Sequence, residues 1–140
     1  MRRRRVLKAM FGAAVGLSPV PAAPQPVAHL EQFPDLWSRI EFEFQSKPAT
    51  VIRVPKPSQK TSRVREVSAD FFLSGYLREC PHNGCEARHV DADPDRVFCF
   101  CHGSRFWAKD GSLEAGIANE DLQALRLEVA QGWVWVLGLG

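Results

Sequence analysis

Residues 40–44, Ile-Glu-Phe-Glu-Phe, alternate strictly between apolar and acidic. That pattern predicts a strand with one face buried. Residues 49–54 are rich in β-branched side chains and predict a second strand. A polar, proline-containing loop follows at 55–62, and residues 63–67 and 71–77 are further strand candidates. Leu125, Leu127 and Val129 alternate with polar residues before Ala130-Gln131-Gly132 leads into Trp133-Val134-Trp135-Val136. This is a terminal hairpin that turns at its glycine. Leu30, Phe33, Leu36, Trp37 and Ile40 recur at near-helical spacing, but Pro34 interrupts them. A proline inside a helix removes a hydrogen bond and clashes with the preceding turn, so a short turn or irregular segment is expected there. Pro24-Gln25-Pro26 reads as a stiff linker. With no repeat and no long helical pattern, the body is expected to be all-β, with short strands and long loops.

The length of 140 residues allows one small domain. The formal charge of +2 is misleading, because Arg2, Arg3, Arg4, Arg5 and Lys8 all precede the first acid, Glu31. Removing those five leaves 13 Lys and Arg against 16 Asp and Glu, a formal −3. A mildly acidic body behind a basic leader is not a nucleic-acid-binding domain. The leader has a charged start, a mild apolar run from Ala9 to Leu17, then Pro19, Pro21 and small residues around Ala22. This is the order of an export signal. Arg3-Arg4-Arg5-Val6-Leu7-Lys8 resembles the twin-arginine signal, with Val6 where Phe is usual. Cleavage near residue 22 is expected. Membrane association would require the leader to be retained as an anchor, and its apolar run is far shorter than the roughly 18 residues that span a bilayer.

The candidate chemistry lies in two short segments. Cys80-Pro81-His82-Asn83-Gly84-Cys85 and Cys99-Phe100-Cys101-His102-Gly103-Ser104 each hold two Cys and one His within six residues. Thiolates and imidazoles are the ligands of zinc and of iron–sulfur clusters. Zinc sites usually separate a ligand pair by two to four residues, whereas Cys80 and His82 are separated by one. A plain zinc site also leaves two cysteines without a role.

The doubled C-x-H-x-G-C and C-x-C-H-G-S pattern resembles the Rieske [2Fe–2S] family, in the subgroup with a disulfide between its cluster loops. The resemblance covers roughly residues 40–137 and is most specific over 80–106. It implies a small antiparallel β-sandwich or barrel carrying a cluster-binding subdomain of two loops. By position, it implies Cys80 and Cys99 as ligands of one iron, and His82 and His102 as ligands of the other. Cys85 and Cys101 match the disulfide, which would close a loop of about 17 residues worth roughly 3 kcal/mol. Ser104 matches the hydroxyl that donates to a bridging sulfide. Gly84 and Gly103 are expected either to bring N–H groups to the sulfides or to take positive φ. The domain boundaries become 1–22 for the signal, 23–39 for a linker and N-terminal segment, and 40–140 for the [2Fe–2S] domain.

Three departures from the high-potential members matter. Phe106 stands where respiratory Rieske proteins carry a Tyr that bonds a ligand sulfur. Asn83 replaces an apolar residue. Gly116-Ile117-Ala118-Asn119 stands near the place of a Gly-Pro-Ala-Pro shielding loop. These changes imply a somewhat lowered potential and a weaker case for a quinol pocket. Outside the motif, His29 and His89 are expected to be ordinary surface or packing histidines, and Tyr76 a packing residue. Trp107, Trp133 and Trp135 are expected to pack the core, and Asp91, Asp93 and Asp95 to form a solvated turn.

The functional expectation is one-electron transfer through one Rieske cluster, in the periplasm or on the outer face of the cytoplasmic membrane. The chain would serve a catalytic large subunit or a c-type cytochrome, and a twin-arginine signal on a small disulfide-type chain resembles the arsenite oxidase small subunit. The alternatives are the Rieske subunit of a bc-type quinol–cytochrome c reductase and a zinc-binding structural module. No nucleophile–base set, Walker loop or dinucleotide fingerprint is present, so no catalysis is expected from the chain alone.

Overall fold

The computed structural model describes residues 23–81, 84–101 and 103–140. The expected signal at 1–22 and the side chains of His82, Asn83 and His102 lie outside these residues. The described chain is all-β, with three antiparallel sheets and a single turn of 3-10 helix at Leu30–Gln32. Sheet one is ordered β1 (Gln25–His29), β11 (Trp133–Leu139), β10 (Leu125–Ala130). Sheet two is ordered β2 (Arg39–Phe44), β3 (Lys47–Val54), β5 (Phe71–Leu77), β4 (Arg65–Ser68). Sheet three is ordered β6 (Ala87–Val90), β7 (Asp93–Cys99), β8 (Ser104–Trp107), β9 (Leu113–Ala115).

Sheet two is the central layer, and its strands show why. Successive side chains of a strand point to opposite faces. In β3 and β5 the odd-numbered Ala49, Val51, Leu73 and Leu77 pack with Val134 and Val136 of sheet one. The even-numbered Ile52, Val54, Phe72 and Tyr76 pack with Val97, Phe106, Cys80 and Cys99 on the side of sheet three. Both faces are covered, so β3 and β5 read as nearly continuous apolar runs. The two cores agree with the all-β body that the sequence pattern predicts and with the β-sandwich that the family resemblance implies.

Two-residue turns of positive φ close two of the hairpins. Gln131 and Gly132 have φ of 54° and 83° between β10 and β11, and Gln45 and Ser46 have φ of 52° and 67° between β2 and β3. Positive φ at both positions is the turn whose twist matches paired strands.

The reading of residues 24–26 as a linker is corrected. Gln25 and Pro26 begin β1, which pairs with β11 through Gln25↔Val136 and Pro26↔Trp135. Proline is tolerated because β1 is an edge strand, where a missing N–H costs no ladder bond on the open side. The expectation of core tryptophans is also corrected. Trp133 is 45% exposed, and Trp107 and Trp135 are only partly buried. In β11 the alternation turns Val134 and Val136 inward, which leaves the tryptophans on the outer face.

Candidate metal centre

Both cysteine segments are tight loops at the end of the third sheet. In the first, the Cys80 N–H donates to the Cys85 carbonyl at 2.7 Å and the Gly84 N–H donates to the Cys80 carbonyl at 2.8 Å. In the second, Cys99 ends β7, its register partner Ser104 begins β8, and the Gly103 N–H donates to the Cys99 carbonyl at 2.9 Å. Each glycine thus closes a turn onto the cysteine four residues before it. Gly84 and Gly103 have φ of +79° and +77°, and a Cβ at either would meet nothing within 4 Å. The backbone conformation, not crowding, requires glycine there. Of the two expectations for these glycines, positive φ holds. Their N–H groups are directed to carbonyl oxygens.

The loops are joined covalently. Cys85 and Cys101 form a disulfide with Cα atoms 6.4 Å apart. Cys80 and Cys99 stand outside that bond, each 1% exposed, within one apolar cluster that includes Ala87 and Phe106. Ala87 is the register partner of Cys99 across β6 and β7. The fold therefore separates four cysteines into one covalent clip and two buried thiols, the donor chemistry that a thiolate-held metal needs. The imidazoles of His82 and His102 lie outside the described residues.

The 116–119 segment also takes its place against these loops. Ser104 is fully buried, and its Oγ accepts a bond from the Ala118 N–H at 3.1 Å. A hydroxyl that accepts this bond keeps its own hydrogen for donation. A Cβ on Gly116, whose φ is +117°, would lie 2.4 Å from the Ser104 Cα. Only glycine permits that approach. Phe100, 66% exposed and stacked on Phe98, and Ile117, 56% exposed, give this end of the molecule an apolar rim.

Two polar contacts secure the loop-bearing sheet to the rest, and sequence reasoning missed one of them. Arg78, two residues before Cys80, is 9% exposed. Its guanidinium donates to the carbonyls of Ala49 in β3 and Ala87 in β6 and pairs with Glu86 at 3.0 Å. Its only sequence signal is a charge directly after β5, beside Glu79. The second contact uses His89, which is buried. Its Nε2 donates to the Pro94 carbonyl at 2.7 Å, and its Nδ1 accepts from Arg39 Nη1 at 3.2 Å. His89 is therefore a packing histidine, as expected, but it also links β2 to sheet three. On the outer surface, Glu114 of β9 bridges Arg96 of β7 and Arg105 of β8 at 2.9 and 3.3 Å. The Arg96 hydrogen bond holds the Glu114 carboxyl below its ordinary range.

Burial, opposed by the Pro94 hydrogen bond, holds the His89 imidazole below the ordinary histidine value. The unfolded chain then takes up this proton first as pH falls. The stability due to neutral His89 is complete above about pH 6.5 and is lost as pH falls below it toward the folded value. Urea unfolding midpoints between pH 8 and pH 5 should fall more steeply for the native chain than for His89→Gln. Parallel slopes would show that this proton is not linked to folding.

The remaining candidates are structural. Tyr76 is fully buried and donates to the Ala108 carbonyl at 2.8 Å. Burial holds its phenol well above the usual range. His29 accepts from the Glu31 N–H and meets Trp133 edge-on. Asp91 lies in an exposed turn and pairs with Arg39 at 3.1 Å, but Asp93 and Asp95 stand in β7 rather than in the expected turn, and Asp93 pairs with Arg96.

Comparison with known proteins agrees with this arrangement. The family described as Rieske [2Fe-2S] domain matches residues 26–126. Cytochrome b6-f complex iron-sulfur subunit 2 of Nostoc sp. is 36% identical over 62 residues, which are 44% of this chain and 34% of that protein. The same subunit of Trichormus variabilis matches to the same extent. The chain thus matches about a third of the length of these relatives. Among solved structures, the soluble domain of Rieske protein II from Sulfolobus acidocaldarius aligns with a TM-score of 0.66 at 18% identity, covering 88% of this chain and 80% of that one. The plasma membrane Rieske protein PetC3 from Synechocystis PCC 6803 aligns with a TM-score of 0.60 at 22% identity, covering 79% and 96%. These likenesses establish the fold.

Proposed function

The chain belongs to the Rieske [2Fe–2S] domain family, and from that premise we propose that it is the electron-transfer subunit or carrier of an exported oxidoreductase. A Rieske domain transfers electrons through its [2Fe–2S] cluster, which supplies a site that gains or loses one electron. The observation that carries the proposal is the pair of disulfide-clipped loops with two buried thiols beneath an apolar rim. In this reading Cys80 and Cys99 hold one iron as thiolates, and His82 and His102 hold the other. Ser104 donates its remaining hydrogen toward a sulfide. The disulfide fits an oxidising compartment, which supports the reading of residues 1–22 as a cleaved twin-arginine signal. Among the described residues no helix is long and apolar enough to cross a membrane.

Phe100 and Ile117 would meet the redox partner at the cluster end. That partner is a catalytic large subunit, a c-type cytochrome, or both. The similarity to cytochrome b6-f iron-sulfur subunits favours a second reading, the Rieske subunit of a bc-type complex. Affinity purification from the native host separates the two. A red-brown chain with a Rieske-type EPR signal, released without detergent beside a catalytic subunit or cytochrome, supports the first. Retention in a membrane complex that oxidises quinol supports the second. A colourless zinc-bound chain would sink both.

Phe106 supports a lowered potential. It is fully buried in the same cluster as Cys80 and Cys99, and it offers no hydroxyl. Phe106→Tyr should raise the midpoint. A hydrogen bond worth about 0.5–1.5 kcal/mol corresponds to roughly 20–65 mV for one electron. Protein-film voltammetry of the variant reads this directly, and an unchanged midpoint would mean that the hydroxyl bonds no ligand sulfur.

A further inference from the structure

Most cations of this acidic domain are already neutralised. Among the described residues, Arg39, Lys47, Arg65, Arg78, Arg88, Arg96 and Arg105 each pair with a carboxylate. Arg53 lies over Phe71 and Lys109 over Trp107. The four that remain are Lys56, Lys60, Arg63 and Arg126, and all four line one cleft of about 710 Å³. Glu66 is the only carboxylate among its lining residues.

The cleft is a built feature of the fold. Its long wall is the 55–62 loop, anchored by Arg63, whose side chain donates to the carbonyls of Asp110 and Leu122. Its apolar floor includes Val64, Phe72, Leu125 and Leu127. It lies where β4 and β10 meet, each an edge strand of its own sheet. An edge strand presents backbone N–H and C=O groups that can pair with another extended chain. None of the lining residues belongs to the cysteine loops.

We propose that this cleft binds a short, extended, acidic segment of a partner protein. Carboxylates of the segment would face the exposed Lys56, Lys60 and Arg126. Alternate apolar side chains would cover the floor, and its backbone would run along a sheet edge. A protein segment fits better than a small anion because the cations come from two separate elements, the 55–63 segment and β10, across an apolar floor. The segment would hold a partner without covering the cysteine loops. The proposal does not depend on which partner receives the electron.

The test uses the full chain with its cluster and a fluorescent twelve-residue peptide of alternating Glu and Val, read by anisotropy. Saturable binding that weakens as salt rises is expected. The triple variant Lys56→Gln, Lys60→Gln, Arg126→Gln removes only exposed side chains and should weaken binding roughly tenfold, at a modest contribution per surface charge. An unaltered visible spectrum would confirm that this variant is folded. Arg88→Gln, outside the cleft, should leave binding unchanged, and a peptide of alternating Gln and Val should not bind. Failure of the acidic peptide to bind, or equal binding by the triple variant, overturns the proposal. So does tighter, variant-sensitive binding of inorganic phosphate or of vesicles containing anionic phospholipid, because either would assign the cleft to another ligand class.

Discussion

Cys99→Ser should yield a folded chain with neither the visible absorbance nor the EPR signal of a Rieske cluster. A serine hydroxyl is nearly isosteric with the thiol, so packing among Ala87, Phe106 and Ser104 changes little. What it cannot supply is the soft, deprotonated donor that an iron–sulfur cluster needs. Cys99 is 1% exposed and stands outside the disulfide, so no other thiol can reach its position without opening the loop. Cys80→Ser should behave alike, because it is equally buried in the same cluster. Far-UV circular dichroism should stay close to native, since β3, β5 and β11 draw their stability from sheet packing. Iron analysis and EPR of the purified variants provide the check. A full cluster in either one would overturn the proposed ligand set.

Removing the clip should have the second largest effect, and on a different quantity. Cys85→Ser and Cys101→Ser each abolish a bridge between residues 16 apart in sequence. In the chain-entropy model, a loop of that size is worth about 3 kcal/mol. Chemical unfolding of the variants should show a loss near that size relative to the oxidised native chain. The cluster should first assemble and then be lost faster on storage, because the short loops retain only their internal turn bonds and the edges of sheet three. Cys101 is exposed and Cys85 half-buried, so a reductant can reach the bond and should reproduce the mutant behaviour in the native protein. Equal stability of oxidised and reduced protein would mean that the sheet contacts alone hold the loops.

Reading the chain residue by residue located the two loops, because their chemistry is local. Two Cys and one His within six residues leave few uses for those side chains. The terminal hairpin was equally legible, since alternation and turn residues are properties of neighbours in sequence. Sheet three was harder to read. Asp93-Pro94-Asp95-Arg96 opens β7 with polar residues and a proline, so it lacks the alternation that marks a strand. Its Arg96 is satisfied across the sheet by Glu114 and along the strand by Asp93. β1 was missed for the opposite reason, because a proline-flanked segment looks like a linker until its edge position makes the missing N–H harmless.

The sequence by itself determined the types and spacing of the candidate donor residues, the turn positions and the alternation of the outer strands. Each of these depends on residues close together along the chain. The tertiary structure bears out the Cys85–Cys101 bridge, which the family resemblance alone implied and which depends on where two distant loops meet. Only the tertiary structure decided that β3 and β5 are buried on both faces, and that the tryptophans of β11 face outward while the valines between them fill the core. The pairing of cations followed the same rule. Charge counting makes the body mildly acidic as a whole. Among the described residues, folding pairs seven cations with carboxylates and gathers four of the other six into one cleft, because a pair forms only where strands bring opposite charges within reach.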